Sequence, residues 1–165
     1  IILYVEDVVG AGAAAGGVVL ALTQTTGSAG RIGAGSLADA LDGESGAATV
    51  SLVQLGASAL LFGSLALGVT DLAVAAAVFA GLGLTVLGMT GVYYSCLGEL
   101  VASEDLGAAT AGGQTAINVG GLLAPPAFGY LADTTGYGVG WAALGALSAC
   151  GMVLLWGVRR EMAGR

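Results

Sequence analysis

The sequence predicts an all-α protein: a polytopic transmembrane helix bundle of five spans. Three observations predict it. First, 56% of the 165 residues are hydrophobic and 9% are charged, with a mean hydropathy of +0.92. A soluble domain carries roughly 25% charged residues, and fifteen charges cannot cover a water-facing surface of this size. Second, the charged residues fall at intervals and leave five long uncharged runs. Third, each run is long enough to cross a bilayer as a helix, since about 20 residues rising 1.5 Å each traverse a core of about 30 Å.

The elements follow in order. The first span is expected over about 8–30, within the uncharged run from Val8 to Gly30. The second lies at about 47–69 and the third at about 72–98, separated by Asp71. The fourth, about 107–131, follows the acidic stretch Glu99, Glu104 and Asp105, and the fifth, about 137–158, ends before Arg159 and Arg160. Transmembrane strands are excluded because they need alternating polarity over about 9–11 residues, which does not persist. Continuous apolar runs must satisfy their backbone groups internally, so they become helices.

Thirty-one glycines oppose helices in water, but in membranes small residues let helices approach closely. Gly12 with Gly16, Gly136 with Gly140, and the stripe Gly56, Ala59, Gly63 and Ala66 are expected packing faces. Cys96 and Cys150 sit in apolar runs without Cys or His partners, so both are expected as small packing residues and no metal site is expected. The net charge of −7 excludes nucleic acid as a partner. Gly10-Ala11-Gly12-Ala13-Ala14-Ala15 matches a dinucleotide-binding fingerprint, but no strand-and-helix alternation surrounds it and the next acid, Asp39, comes late. It is read as a glycine-rich helix entry, and no cofactor is expected.

Polar residues inside the runs are the candidates for a substrate path. Gln114 and Asn118 lie four apart and share a helix face, which continues through Gly121 to Pro125. Pro125 and Pro126 remove backbone donors and are expected to kink that helix. Gln24 and Ser28 share a face of the first span above Arg31, and Thr90 and Tyr94 share a face of the third. The second and last spans read as lacking such faces. With no mid-span acid, lysine or histidine, no proton site is evident, and an enzyme is not expected because nucleophile–base pairs and metal clusters are missing. The four basic residues, Arg31, Arg159, Arg160 and Arg165, place the C-terminus in the cytoplasm by the positive-inside rule.

The stretch Gly30-Arg31-Ile32-Gly33-Ala34-Gly35-Ser36-Leu37-Ala38-Asp39 resembles the cytoplasmic loop motif of the major facilitator superfamily. Gly120 to Gly136 is similar to that family's penultimate helix and the turn after it, and Glu99 to Gly113 to the inner loop before it. The basic residue that usually follows the loop aspartate is Ala40 here, so charge pairing by this loop is not carried over. The resemblance implies helices eight to twelve of a twelve-helix transporter in the cell membrane. It also implies that an N-terminal six-helix half precedes them, in keeping with a chain that opens on Ile1. Arg31, Gly35 and Asp39 would then belong to a gating loop; Gly33 and Gly35 permit a tight turn or a close helix approach, and Asp39 either latches onto a neighbouring helix N-terminus or is a solvated loop acid. The function so implied is transport of a small solute by alternating access; the alternative is a membrane scaffold or assembly subunit.

Overall fold

The structure, a computed structural model, describes residues 1–41 and 46–163. Among them there is no strand; the chain runs as a short helix α1 (Ile2–Asp7), then α2 (Ala13–Ala40), α3 (Gly46–Ala66) and α4 (Leu72–Leu82). A π-helical segment (Gly83–Leu87) and a 3-10 segment (Gly88–Gly91) join α4 to α5 (Tyr93–Leu100). Two long helices follow, α6 (Leu106–Thr135) and α7 (Tyr137–Ala163). Among the described residues, Gly46–Ala66, Leu72–Gly91 and Tyr137–Glu161 are long and apolar enough to cross a membrane. These three helices point to a membrane protein. Helices α2 and α6, at 28 and 30 residues, are longer still but carry more polar and glycine positions.

The long helices alternate in direction. Gly138 at the start of α7 lies against the Ala66 carbonyl at the end of α3, and Gly151 meets Leu55, so the two helices pack antiparallel. The small stripe of α3 is part of this contact: a Cβ on Gly56 would meet Met152 Sδ at 3.1 Å, and one on Gly145 would meet the Ala59 carbonyl at 3.3 Å. Gly136 alone separates α6 from α7, and its φ of +93° suits only glycine in so tight a reversal. Asp71 opens α4 as an N-cap, its side chain accepting from Val74 N–H at 2.9 Å.

Two apolar clusters hold the bundle. At the end opposite Arg159, Trp141 packs on Tyr4, Phe62, Phe79 and Phe128 with ring centroids 5.7, 5.9, 5.7 and 4.6 Å away. Each such pair adds about 0.5–1.5 kcal/mol beyond area burial. The second cluster lies at the Arg159 end around Ala34, Ala47, Val50, Val92 and Cys96.

Several expectations change. The motif Gly30–Asp39 is not a loop: α2 continues to Ala40, and Gly33 and Gly35 are ordinary helical positions with open space around them. The connection after it begins at Leu41 and passes through residues 42–45, outside the described residues. The first helix starts at Ala13, because Gly10, with φ +76°, turns the chain between α1 and α2. The third span departs from α geometry at Gly83–Gly91, whereas α6 runs as α-helix through Pro125 and Pro126 to Thr135. Cys96 is buried as expected, but Cys150 is exposed on α7.

Candidate functional site

The site is built around the interrupted helix. A π-helical turn followed by a 3-10 turn leaves backbone groups outside the regular i to i−4 ladder, and such turns recur at functional positions. Here neighbouring helices reach the displaced carbonyls. Thr26 Oγ1 donates to the Ala80 carbonyl at 2.9 Å, Gln54 Nε2 to Leu84 at 3.3 Å and Arg31 Nε to Leu87 at 3.2 Å. Thr90 Oγ1 donates to the same Leu87 carbonyl at 2.9 Å, which brings Arg31 and Thr90 together. Ser58 Oγ donates to Thr85 Oγ1 at 2.9 Å.

Glycines make this approach possible. A Cβ on Gly30 would lie 2.7 Å from the Leu84 carbonyl, one on Gly88 would lie 3.0 Å from the Gly30 backbone, and ones on Gly83 and Gly91 would overlap Thr26 and the Arg31 carbonyl. Alanine at Gly30, Gly83 or Gly91 is expected to push the helices apart and weaken the bonds above.

A second polar group joins α5 to α6. Tyr94 donates its hydroxyl to Gln114 Oε1, and Gln114 Nε2 donates to Asn118 Oδ1 at 3.1 Å. Three of the residues picked from the sequence thus form one hydrogen-bonded chain. The shared face expected for Thr90 and Tyr94 does not arise from α spacing, since the 3-10 turn and Val92 intervene; Thr90 turns to Leu87 and Tyr94 to Gln114. On α2, Ser28 Oγ donates to the Gln24 carbonyl within its own helix, and both residues are exposed on the face that leads to Arg31.

Depth follows from the packing. Gly88 contacts both Gly30 and, at 3.3 Å from its notional Cβ, Gln54 Nε2, so Arg31 sits at the level of Gln54. Gln54 is eight residues into α3, hence about 12 Å along it by a 1.5 Å rise. Gln114 is likewise eight residues into α6, about 12 Å from Leu106. Arg31 therefore lies inside α2, not at its end as the sequence suggested, and the helix continues nine residues beyond it.

Sequence reasoning missed two features. The second span does carry a polar face: Ser51, Gln54 and Ser58 are all buried, and the four-residue spacing of Gln54 and Ser58 is the same signal that singled out Gln114 and Asn118. Gln54 Oε1 is buried and finds no partner among the described residues. The other is Glu99, whose two carboxylate oxygens accept from Ala47 and Ala48 N–H, both at 2.9 Å, at the N-terminus of α3. The helix-end contact expected of Asp39 is made here by Glu99, while Asp39 is exposed in the last turn of α2.

Two linked clefts lie beside the helix. One of about 570 Å³ opens at the aromatic end and is lined by Tyr4, Pro125, Phe128, Asp133, Tyr137 and Trp141, among others. Another of about 230 Å³ shares Leu20 and Trp141 with it and reaches Thr23, Gln24 and Leu87. At the wide mouth Tyr137 donates to Asp7 Oδ2 at 2.7 Å. Burial pushes the Tyr4 phenol, which donates to the Val69 carbonyl, above its ordinary range, so it remains a neutral donor. No group of three or more metal-ligating side chains occurs among the described residues. In comparisons with known proteins, no family model, no curated protein and no solved structure matches the chain.

Proposed function

We propose that this chain is part of a secondary transporter that carries a small solute across the cell membrane by alternating access, with five membrane-crossing helices and a cytoplasmic C-terminus. The resemblance to the major facilitator superfamily supports this reading, with the chain as helices eight to twelve. In this reading α2, α3, the interrupted α4–α5 rod, α6 and α7 are the five spans, and a further helical half completes the protein.

One observation carries the reading. The chain Tyr94–Gln114–Asn118 is exposed on the bundle, about 12–18 Å into a thirty-residue helix, and none of that helix is buried. Amides at bilayer depth do not face hydrocarbon without cost, because lipid offers them no partner. They face protein or a water-filled path, and transporters place their substrate groups in such a path near midplane, often beside discontinuous helices. The interruption at Gly83–Gly91 supplies that second feature.

The test uses the full-length protein in membrane vesicles, with Cys96→Ser, Cys150→Ser and a single Asn118→Cys. Alternating access requires an impermeant maleimide to reach position 118 from each side in turn. Reaction from neither side, or from one side only under all conditions, would contradict transport; the former is what a scaffold subunit would give.

A further inference from the structure

We infer that the solute carried on this path is a small anion bearing a carboxylate or a phosphate, and that Arg31 is the residue that binds it. The inference rests on the transport reading and adds the chemical class. Four facts converge on Arg31. It lies at the level of Gln54, about 12 Å inside the span of α3, where a charge is retained only for a purpose. It is exposed, on the face of α2 that also carries Gln24 and Ser28. Its Nε is fixed by the Leu87 carbonyl at 3.2 Å, which orients the guanidinium plane. Its two terminal nitrogens have no protein partner among the described residues.

A structural arginine would use those nitrogens on carbonyls or a carboxylate. Left open, they present the fork that matches two oxygens of a carboxylate or phosphate. Thr90 shares the Leu87 carbonyl with Arg31, so a hydroxyl stands beside the fork. The smaller cleft is lined by Gln24 and by Leu87, the residue whose carbonyl holds Arg31. The acids near the wide mouth, Asp7 and Asp133, belong to the aromatic end; from Gln54 to Ala66 α3 rises about 18 Å, too far for them to pair with Arg31. A cationic solute would meet an uncompensated guanidinium at this depth, and a neutral one would leave it unpaired.

The test is the thermal unfolding of the purified full-length protein in detergent with sodium lactate, sodium succinate, sodium phosphate or glycerol 3-phosphate. Glycerol, tetraethylammonium chloride and sodium chloride serve as references. At least one of the four anions is expected to raise the transition by several degrees over sodium chloride, and the responding anion tells carboxylate from phosphate. Arg31→Gln is expected to abolish the shift, and Arg31→Lys, which keeps a donor for Leu87, to retain a fraction of it. Thr90→Ala, which leaves the arginine in place, is expected to weaken the response several-fold. No anion effect in the wild type, an effect that survives in Arg31→Gln, or stabilisation by glycerol or tetraethylammonium alone would overturn the inference. If position 118 still reacts from both sides in that case, transport stands and only the anion class falls.

Discussion

At the residue scale, single groups hold the helix ends and the break. Glu99 is the clearest: one carboxylate neutralises two of the unpaired N–H groups that every helix start leaves, and it does so across elements, from α5 to α3. Glu99→Ala is expected to cost about 1–2 kcal/mol, seen as a lowered unfolding temperature in detergent, with Glu99→Gln losing less. Asp39→Asn, at an exposed position, is expected to leave that temperature unchanged. A drop for Asp39→Asn as large as for Glu99→Ala would return the latch to Asp39. Gln54 differs in kind, because its amide makes one long bond and leaves Oε1 unpaired. Gln54→Leu gives up about 0.6 kcal/mol of hydrogen bond and removes a stranded oxygen, so melting should hold or rise while transport falls. Sequence alone made Gln114, Asn118 and Tyr94 legible, because amide and phenol groups stand out in apolar runs. Glu99 was invisible as a cap, since its partners lie 52 and 51 positions away.

At the element scale, helix lengths were readable and helix quality was not. Charges are excluded from spans, so the uncharged runs place the ends of α3 and α7 within a few residues. The end of α2 escaped because Arg31 was taken for a boundary, whereas the helix continues nine residues beyond it and the Leu87 carbonyl accepts from its Nε. The interruption at Gly83–Gly91 carries no proline and no charge; what marks it are bonds that Thr26, Gln54 and Arg31 bring from other helices to carbonyls in and just before it. Pro125 and Pro126, where a kink is expected, lie inside one helix that continues to Thr135. Close glycine packing accompanies the break, and two substitutions test its part in it. Gly83→Ala, whose Cβ would collide with Thr26, is expected to destabilise by more than about 2 kcal/mol. Gly33→Ala, in open space on α2, is expected to stabilise by up to about 1 kcal/mol. Equal melting of the two variants would dismiss close packing as the origin of the break.

At the scale of the whole molecule, the two ends differ in chemistry. The end with Arg159 and Arg160 also holds Glu99 and the start of α3, while the other end gathers Asp7, Asp133 and the rings around Trp141. In the proposed transporter the exposed amide face of α6 fronts the solute path. Everything rests on α2 and α6 crossing the bilayer with the other three rods, although they are the less apolar helices. The direct measurement is labelling of single cysteines by an impermeant maleimide in right-side-out vesicles, at Val9, Ala40, Thr70, Ser103, Thr135 and Glu161 in turn. Five crossings require Val9, Thr70 and Thr135 to react in intact vesicles, and Ala40, Ser103 and Glu161 to react only after permeabilisation. If the two ends of α2 or of α6, Val9 with Ala40 or Ser103 with Thr135, react from the same side, the five-span account is wrong.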